Sequence, residues 1–563
     1  MRVHRILDGV EVPVAGGLTL RADVWLPDGD GPFPVLLQRT PYGRTDPFGS
    51  QYIVGMDNLR ALERGFALVV QDTRGRYGSD GDFIPYVHEA ADGAATVAWL
   101  REQPWSDGRV ATYGASYVGA TQLLLAGEGA EGHVAMAPLL TAGDFHSGWT
   151  YSGGALQLGF LWLWILESLG PADADHAGLP AGHPVRAHLA AMARDPRAAM
   201  AALPLRTAVP AEVAPYLEEW LAHPVADEFW AANSADERAA DVRAAGLHIV
   251  GQHDLFCEAS LRTYARLRDL SPAPQRLVLG PWSHGNLTDW QGEEWLGYAA
   301  DAGAFDLPGA QLEFFSAALD GREPALAPVT YFVTGANEWC EAESWPPPTA
   351  RTQTWHFVGG SGLATEPSPG SGLTSWKADP SDPVPSVGGQ TFLPGLLSGR
   401  ASGPKDVGFL AERADVVQVL GPVLAEPLRL AGPVTLHLSA STTAEDCDWV
   451  GRLVEARPDG SVVQLAESIL RARYRHGGEA VPLTPHRIET FTVPLGTVAH
   501  ELAPGSRLGL QLASSSFPRF DRNPQSLVDP VDATPDDFVV ATHTVCWGGP
   551  HASSVEVTLL PPR

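Results

Sequence analysis

Three side chains in this sequence, Ser116, Asp254 and His284, have the types and the order that acyl transfer by a serine needs. A serine hydroxyl is a poor nucleophile until an imidazole takes its proton. The imidazole in turn needs a carboxylate to hold it in the right tautomer. One of the chain orders in which nature builds this triad is serine, acid, histidine, each just past the C-terminal end of a strand. Ser116 follows the β-prone run that ends at Tyr113, Asp254 follows Leu247-His-Ile-Val250, and His284 follows Arg276-Leu-Val-Leu279. Order and placement agree at all three positions, which outweighs any one of them. Taken singly, Asp254 also reads as the cap of a following helix, and His284 as a loop histidine among 18 histidines.

The serine lies in Arg109-Val-Ala-Thr-Tyr-Gly-Ala-Ser-Tyr-Val-Gly119. Gly114-Ala115-Ser116 is a sharp corner, and Tyr117 to Ala126 is helix-compatible. A strand, a tight turn and a helix make a nucleophile elbow, which exposes the hydroxyl beside the outward N–H groups of the helix start. The G-x-S-x-G pattern is imperfect, because position 118 is Val and the second glycine is Gly119. The motif alone fits an ordinary turn with a capping serine equally well. The expected oxyanion donors are the Tyr117 N–H and, from the loop Arg39-Thr-Pro-Tyr-Gly43, the Tyr42 hydroxyl, whose plainer reading is a packed ring at a turn. His253 competes with His284 as base, but it abuts Asp254 and should point elsewhere. A metal reading of His253, Asp254 and His284 lacks H-E-x-x-H or C-x-x-C spacing, and neither a Walker A nor a dinucleotide fingerprint occurs. No metal and no cofactor are expected.

These groups need a sheet to carry them. A hairpin over residues 11–26 is followed by the apolar runs Val35–Gln38, Phe66–Val70, Val110–Tyr113 and Val134–Ala137, with helix-compatible stretches between. Buried strands alternating with helices predict a doubly wound α/β sheet. From about 144 to 242 the alternation stops, and helices over Leu156–Leu169, Pro184–Arg194 and Pro210–His223 are expected, carrying Trp149, Phe160, Trp162, Trp164 and Trp220. This set is either a helix-packing core or a cap whose rings line an acyl pocket, with Trp149 the best pocket candidate. The α/β pattern resumes, and a helix over Ala310–Leu319 with the strand Val329–Val333 should close the domain. Residues 345–412 read as loops, and short strands with Gly/Pro punctuation then predict a β-sandwich or jelly roll. The expected division is 1–143 with 243–350 as catalytic domain, 144–242 as helical cap and 351–563 as jelly roll.

With 563 residues, two to four domains are expected. A hydrophobic content of 44% and 18% charged residues describe a globular protein. Net charge is −28 with no basic tract, which disfavours nucleic acid and anionic membrane as partners. Cys257, Cys340, Cys447 and Cys546 are far apart and suggest neither disulfides nor zinc. No secretory h-region or membrane-length apolar run is seen, so a cytoplasmic location is expected; the sequence admits a homodimer.

The chain resembles the bacterial cocaine esterases and, more distantly, the α-amino-acid ester hydrolases and X-prolyl dipeptidyl peptidases. The resemblance rests on Arg39-Thr-Pro-Tyr42, Gln71-Asp-Thr-Arg-Gly75, Gly114–Gly119, Gly280-Pro-Trp-Ser-His-Gly-Asn-Leu-Thr288, Asp379–Pro385 and Ser514–Asn523, and covers essentially the whole chain. It implies an α/β-hydrolase domain with inserted helical cap and C-terminal jelly roll. It also implies Ser116, Asp254 and His284 as triad and Tyr42 with Tyr117 as oxyanion hole. An aromatic acyl pocket at Trp149, Trp164 and Phe256, with a contribution near Phe392 and Leu393, follows from it too. The sequence departs from it at Gln252-His253, where relatives often carry Trp-Tyr. The expected activity is a serine carboxylesterase acting on small apolar or aromatic acyl esters. The rivals are an amidase or aminopeptidase of the same mechanism, either an X-prolyl dipeptidyl peptidase or an acylase or α-amino-acid ester hydrolase, for which no ammonium-binding carboxylate set is identified, and a sugar-binding protein using the jelly roll.

Overall fold

A computed structural model describes residues 5–46, 49, 55–392 and 402–561. Its first sheet has ten strands: β1 (Arg5–Val14), β2 (Leu18–Leu26), β3 (Phe33–Thr40), β4 (Ala67–Asp72), β5 (Ser106–Ala115), β6 (His133–Leu139), β7 (Ala245–Gly251), β8 (Gln275–Gly280), β9 (Val329–Val333) and β10 (Glu338–Ala342). The order across the sheet is 1-2-4-3-5-6-7-8-9-10, parallel from β4 to β9 and antiparallel at both edges. The strands β4, β7, β8 and β9 are buried along their whole length, as parallel strands covered by helices on both faces must be. The covering helices include α1 (Asn58–Glu63), α2 (Glu89–Arg101), α3 (Tyr117–Ala126), α4 (Cys257–Leu270) and α5 (Leu307–Asp320). This is an α/β-hydrolase core.

Between β6 and β7, which are sheet neighbours, the chain leaves the sheet for a run of short helices, among them Leu158–Trp164, Pro184–Arg194 and Tyr216–Ala222. Their apolar faces meet one large cluster that reaches from Tyr42 and Tyr117 in the core to Val531 in the C-terminal part.

The C-terminal part is an eleven-stranded, mostly antiparallel sheet system. Here two expectations fail. Residues 345–412 are not a plain loop region, since Arg351–Val358, Gly362–Ala364 and Ser371–Ala378 are strands. Ser371–Ala378 buries only Trp376 and Ala378 and is held by pairing with Ala541–Gly548, so its own sequence carries little apolar signal. The strand Glu489–Leu502 was also not anticipated, because Pro494 and Gly496 interrupt it. It pairs with Leu428–Thr442 across a register shift between Val434 and Thr435, which accommodates the proline without a ladder donor. In the first sheet β9 is not the closing strand. The polar β10 pairs outside it as an edge.

All four cysteines are free thiols. Among the described residues no helix is long and apolar enough to cross a membrane, and no group of three His, Cys, Asp or Glu could hold a metal.

Candidate active site

The elbow forms where β5 ends. Ser116 has φ 58° and ψ −128°, a conformation outside the ordinary regions, held by its N–H to the Leu139 carbonyl at 2.9 Å. Its side chain makes no capping hydrogen bond to α3, so the capping reading does not describe it. The glycine spacing has a steric cause. A Cβ on Gly114 would lie 2.3 Å from Val118 Cγ1, and one on Gly119 would lie 2.5 Å from Thr141 Cγ2. Val118 fills the space over Gly114, and the close helix contact falls one residue later than in G-x-S-x-G.

Asp254 and His284 meet. Asp254 sits past β7 and His284 past β8, strands in parallel register, so their following loops emerge side by side. Asp254 Oδ1 accepts from His284 Nδ1 at 2.9 Å, with both residues almost fully buried. Asp254 is not the cap of α4, whose capping position is Phe256 and has no side-chain cap bond. With Nδ1 committed, His284 Nε2 is buried and makes no hydrogen bond, and is the atom left for a substrate-side proton. The ring packs against Phe256 and Phe392, at centroid distances of 5.4 and 5.3 Å. Leu393, named with Phe392 above, lies outside the described residues.

His253 faces elsewhere. It lines a separate cavity of about 290 Å³ together with His500, Glu455 and Thr334. Burial, helped by His500, lowers its pKa to about 3, so it is neutral near pH 7. Its neighbour Gln252 donates to the Phe332 carbonyl of β9 at 2.6 Å and ties the end of β7 to the C-terminal part by accepting from the Ala499 N–H at 3.2 Å. The departure from the family pattern at these two positions thus belongs to an interdomain contact behind Asp254.

Tyr42 is held near the elbow by its own loop. Arg44 pairs with Asp72 at 2.7 Å and with Asp23 at 3.0 Å, while Arg39 bonds Gln71 at 2.9 Å. The Gln71-Asp-Thr-Arg-Gly75 stretch therefore works as an anchor for the Tyr42 loop. Desolvation raises the Asp72 pKa against the pull of Arg44. The Tyr42 hydroxyl accepts from the Trp164 indole N–H at 3.1 Å, which polarises its own O–H for donation. Tyr117 is fixed at both ends. Its N–H opens α3, and its hydroxyl donates to Glu89 at 2.9 Å, which is ion-paired with Arg39 at 2.9 Å. Burial raises the Glu89 pKa and pushes the Tyr117 phenol far up.

Trp149, Trp164 and Phe256 come together. Trp149 stacks on Phe256 at 4.1 Å and meets Trp164 edge-on at 6.1 Å, and Phe256 meets His284. The aromatic wall thus runs continuously from the cap to the histidine. Tyr86 and Phe145, which no sequence pattern singles out, join the wall: their rings stack at 3.7 Å, and Tyr86 is also edge-on to Trp149 at 5.5 Å. Tyr86 sits in the loop before α2 with no periodic pattern, and its only sequence signal was the Pro85-Tyr86 turn.

Two carboxylates packed against this wall are already paired, Glu89 with Arg39 and Asp173 with Arg76 at 3.0 Å. Burial raises the Asp173 pKa to about 6 despite Arg76.

Comparison with known proteins agrees with this architecture. The profile of the X-Pro dipeptidyl-peptidase (S15 family) matches residues 16–286, and that of the X-Pro dipeptidyl-peptidase C-terminal non-catalytic domain matches 324–556. The chain is 34% identical over 543 residues to a cocaine esterase from Rhodococcus sp. (strain MB1 Bresler), covering 92% of each. An aminopeptidase from a marine sediment Thaumarchaeota archaeon superposes with a TM-score of 0.82 at 26% identity, covering 99% of this chain and 97% of that one. An α-amino acid ester hydrolase superposes with a TM-score of 0.82 at 25% identity over the same shares.

Proposed function

The chain belongs to the cocaine esterase-like family of X-Pro dipeptidyl-peptidase S15 serine hydrolases, and we propose that its own reaction is hydrolysis of carboxylic esters with small apolar or aromatic acyl groups. The observation that carries this reading is the Asp254–His284 pair set against a continuous aromatic wall. Ser116 Oγ attacks the ester carbonyl as His284 Nε2 takes its proton, and Asp254 stabilises the imidazolium. The oxyanion develops against the Tyr117 N–H and the Tyr42 hydroxyl. The tetrahedral intermediate collapses as His284 returns the proton to the departing alkoxide. Water, activated by the same imidazole, then releases the acid from the acyl-enzyme.

Trp149, Trp164 and Phe256 receive the acyl group, and the gain comes from apolar surface removed from water at about 25 cal/mol per Å². Because Glu89 and Asp173 are spent on arginines, neither offers a carboxylate to a substrate ammonium. The test is kcat/KM for phenyl benzoate, a nitrophenyl butyrate and an Ala-Pro anilide, with Trp149→Ala beside wild type. The two esters should dominate, and Trp149→Ala should lower benzoate hydrolysis most. If the anilide wins, a peptidase reading replaces this one.

A further inference from the structure

Tyr86 combines three features that a merely packed ring does not need. It is 3% exposed, it has φ 72°, and its hydroxyl makes no hydrogen bond. A bulky residue in the left-handed region costs energy and persists only where its surroundings hold it. Here the hold is identifiable. The Tyr86 N–H donates to the Tyr117 hydroxyl at 3.0 Å, and that hydroxyl is fixed by Glu89 and Arg39. The same buried chain that seats the residue after Ser116 therefore seats Tyr86.

An unpaired buried hydroxyl is also costly, because it gives up its bond to water without a replacement. The other tyrosines of this cluster avoid that cost. Tyr117 donates to Glu89, Tyr151 to the Trp220 carbonyl at 3.0 Å, Tyr216 to Asp173 at 3.3 Å, and Tyr42 accepts from Trp164. Phenylalanine would fill the Tyr86 site without the penalty. A second orphan lies beside it. Trp149 Nε1 is buried with no acceptor, and the two rings touch edge to face at 5.5 Å. Tyr86 also faces Trp164, at 6.5 Å. Burial, with the Tyr42 and Tyr216 hydroxyls nearby, pushes the Tyr86 phenol well up, so it stays protonated and remains a donor.

We propose that Tyr86 is a specificity-determining residue whose hydroxyl, with Trp149 Nε1 on the adjoining ring, binds a hydrogen-bond acceptor carried on the acyl group of the substrate. The acyl class is therefore aryl or short-chain acids bearing an ether, hydroxyl or carbonyl oxygen, and purely hydrocarbon acyl groups are the poorer substrates. This rests on the ester-hydrolase reading above, and it narrows the acyl group that the aromatic wall receives. A site that leaves its own polar groups unpaired against the wrong substrate discriminates more sharply than one that only adds apolar contact.

The experiment compares isosteric pairs. Nitrophenyl esters of 2-, 3- and 4-methoxybenzoic acid are measured against the matching ethylbenzoic acids, in wild type and Tyr86→Phe, with melting curves for both proteins. At one or more ring positions the methoxy ester should lead by about tenfold in kcat/KM in wild type, the value of one neutral hydrogen bond. In Tyr86→Phe that ratio should fall to about one. A wild-type ratio of one at all three positions overturns the proposal while the esterase reading stands. A tenfold ratio that survives Tyr86→Phe overturns it as well. If wild type hydrolyses none of the benzoates, the aromatic-acyl reading falls and the proposal with it. Should Tyr86→Phe not fold, the wild-type ratios decide.

Discussion

Two buried regions border the cap, and they are built from opposite chemistry. On one side is the aromatic wall of Trp149, Phe256, Trp164 and Tyr86, which touches His284 through Phe256. On the other is a seam of charge in the C-terminal part. Arg471 binds Asp448 at 2.9 Å and Asp521 at 3.0 Å, Arg473 binds Asp446 at 2.6 Å, and Glu467 takes both Arg452 and Arg519. Asp521 also accepts from the Leu156 N–H at 2.8 Å, which ties the seam to the stretch just before the helix Leu158–Trp164. Asn523 bridges Asp446 and Asp448 at 2.8 Å each. Aromatic contact depends on area and tolerates different ligand shapes. Buried charge is directional, and it is expensive unless every partner is present. In the function proposed above the wall receives substrate, while the seam ties the C-terminal part to the helical insertion.

The comparison can be broken by variants that separate activity from stability. Ser116→Ala should lower ester hydrolysis by roughly 10⁴ or more with an unchanged melting curve. His284→Ala should match it, whereas His253→Ala, whose side chain lines the other cavity, should keep most of the activity. Equal losses at the two histidines would undo the assignment of the base.

Arg471→Met should do the opposite. It leaves Asp448 and Asp521 buried without their cation, at a cost of about 3–5 kcal/mol in denaturant unfolding. Protein that remains folded should still turn over esters. A full loss of kcat at unchanged stability would place the seam in the chemistry.

Tyr42→Phe sharpens the boundary from the site side. Loss of the hydroxyl should cost about 10²–10³ in kcat with little change in KM. An effect confined to KM would mark a binding ring.

The least direct test of the comparison is pH. His543 lies among rings, 5.3 Å from Trp449, as His284 packs against Phe256 and Phe392, yet neither of its nitrogens has a partner. Burial lowers the pKa of His543 to about 3 and those of His133 and His248 to about 4. In the unfolded chain these groups titrate near about 6.5. As pH falls below that value the unfolded state takes up protons that the folded state refuses. The stability they contribute is therefore present above about pH 6.5 and is lost progressively toward pH 4 and below. The melting temperature should decline over that range, and a flat profile would show that these histidines are solvated in the folded protein.

Much of the arrangement was legible in residue order. The runs before Ser116, Asp254 and His284 are apolar on both faces, so they had to be central strands, and parallel strands deliver their following loops to one edge. Periodicity alone places these loops, since buried strands end where polar residues begin. It also anticipated the helical insertion, because the strand–helix alternation visibly stops. It failed for Ser371–Ala378 and Glu489–Leu502, whose stability comes from the neighbours they pair with, and for the polar edge strand Glu338–Ala342.

By itself the sequence determined the α/β core, the placement of Ser116, Asp254 and His284 just past strand ends, and the aromatic content of the helical insertion, since these follow from local pattern and composition. Only tertiary structure decided which aromatics meet His284, that Gln252 and His253 face the C-terminal part, and that Tyr86 stands with an unpaired hydroxyl beside Trp149. Those outcomes depend on contacts between residues far apart in the chain, and on a backbone angle at Tyr86 that its own side chain disfavours. No local preference encodes either.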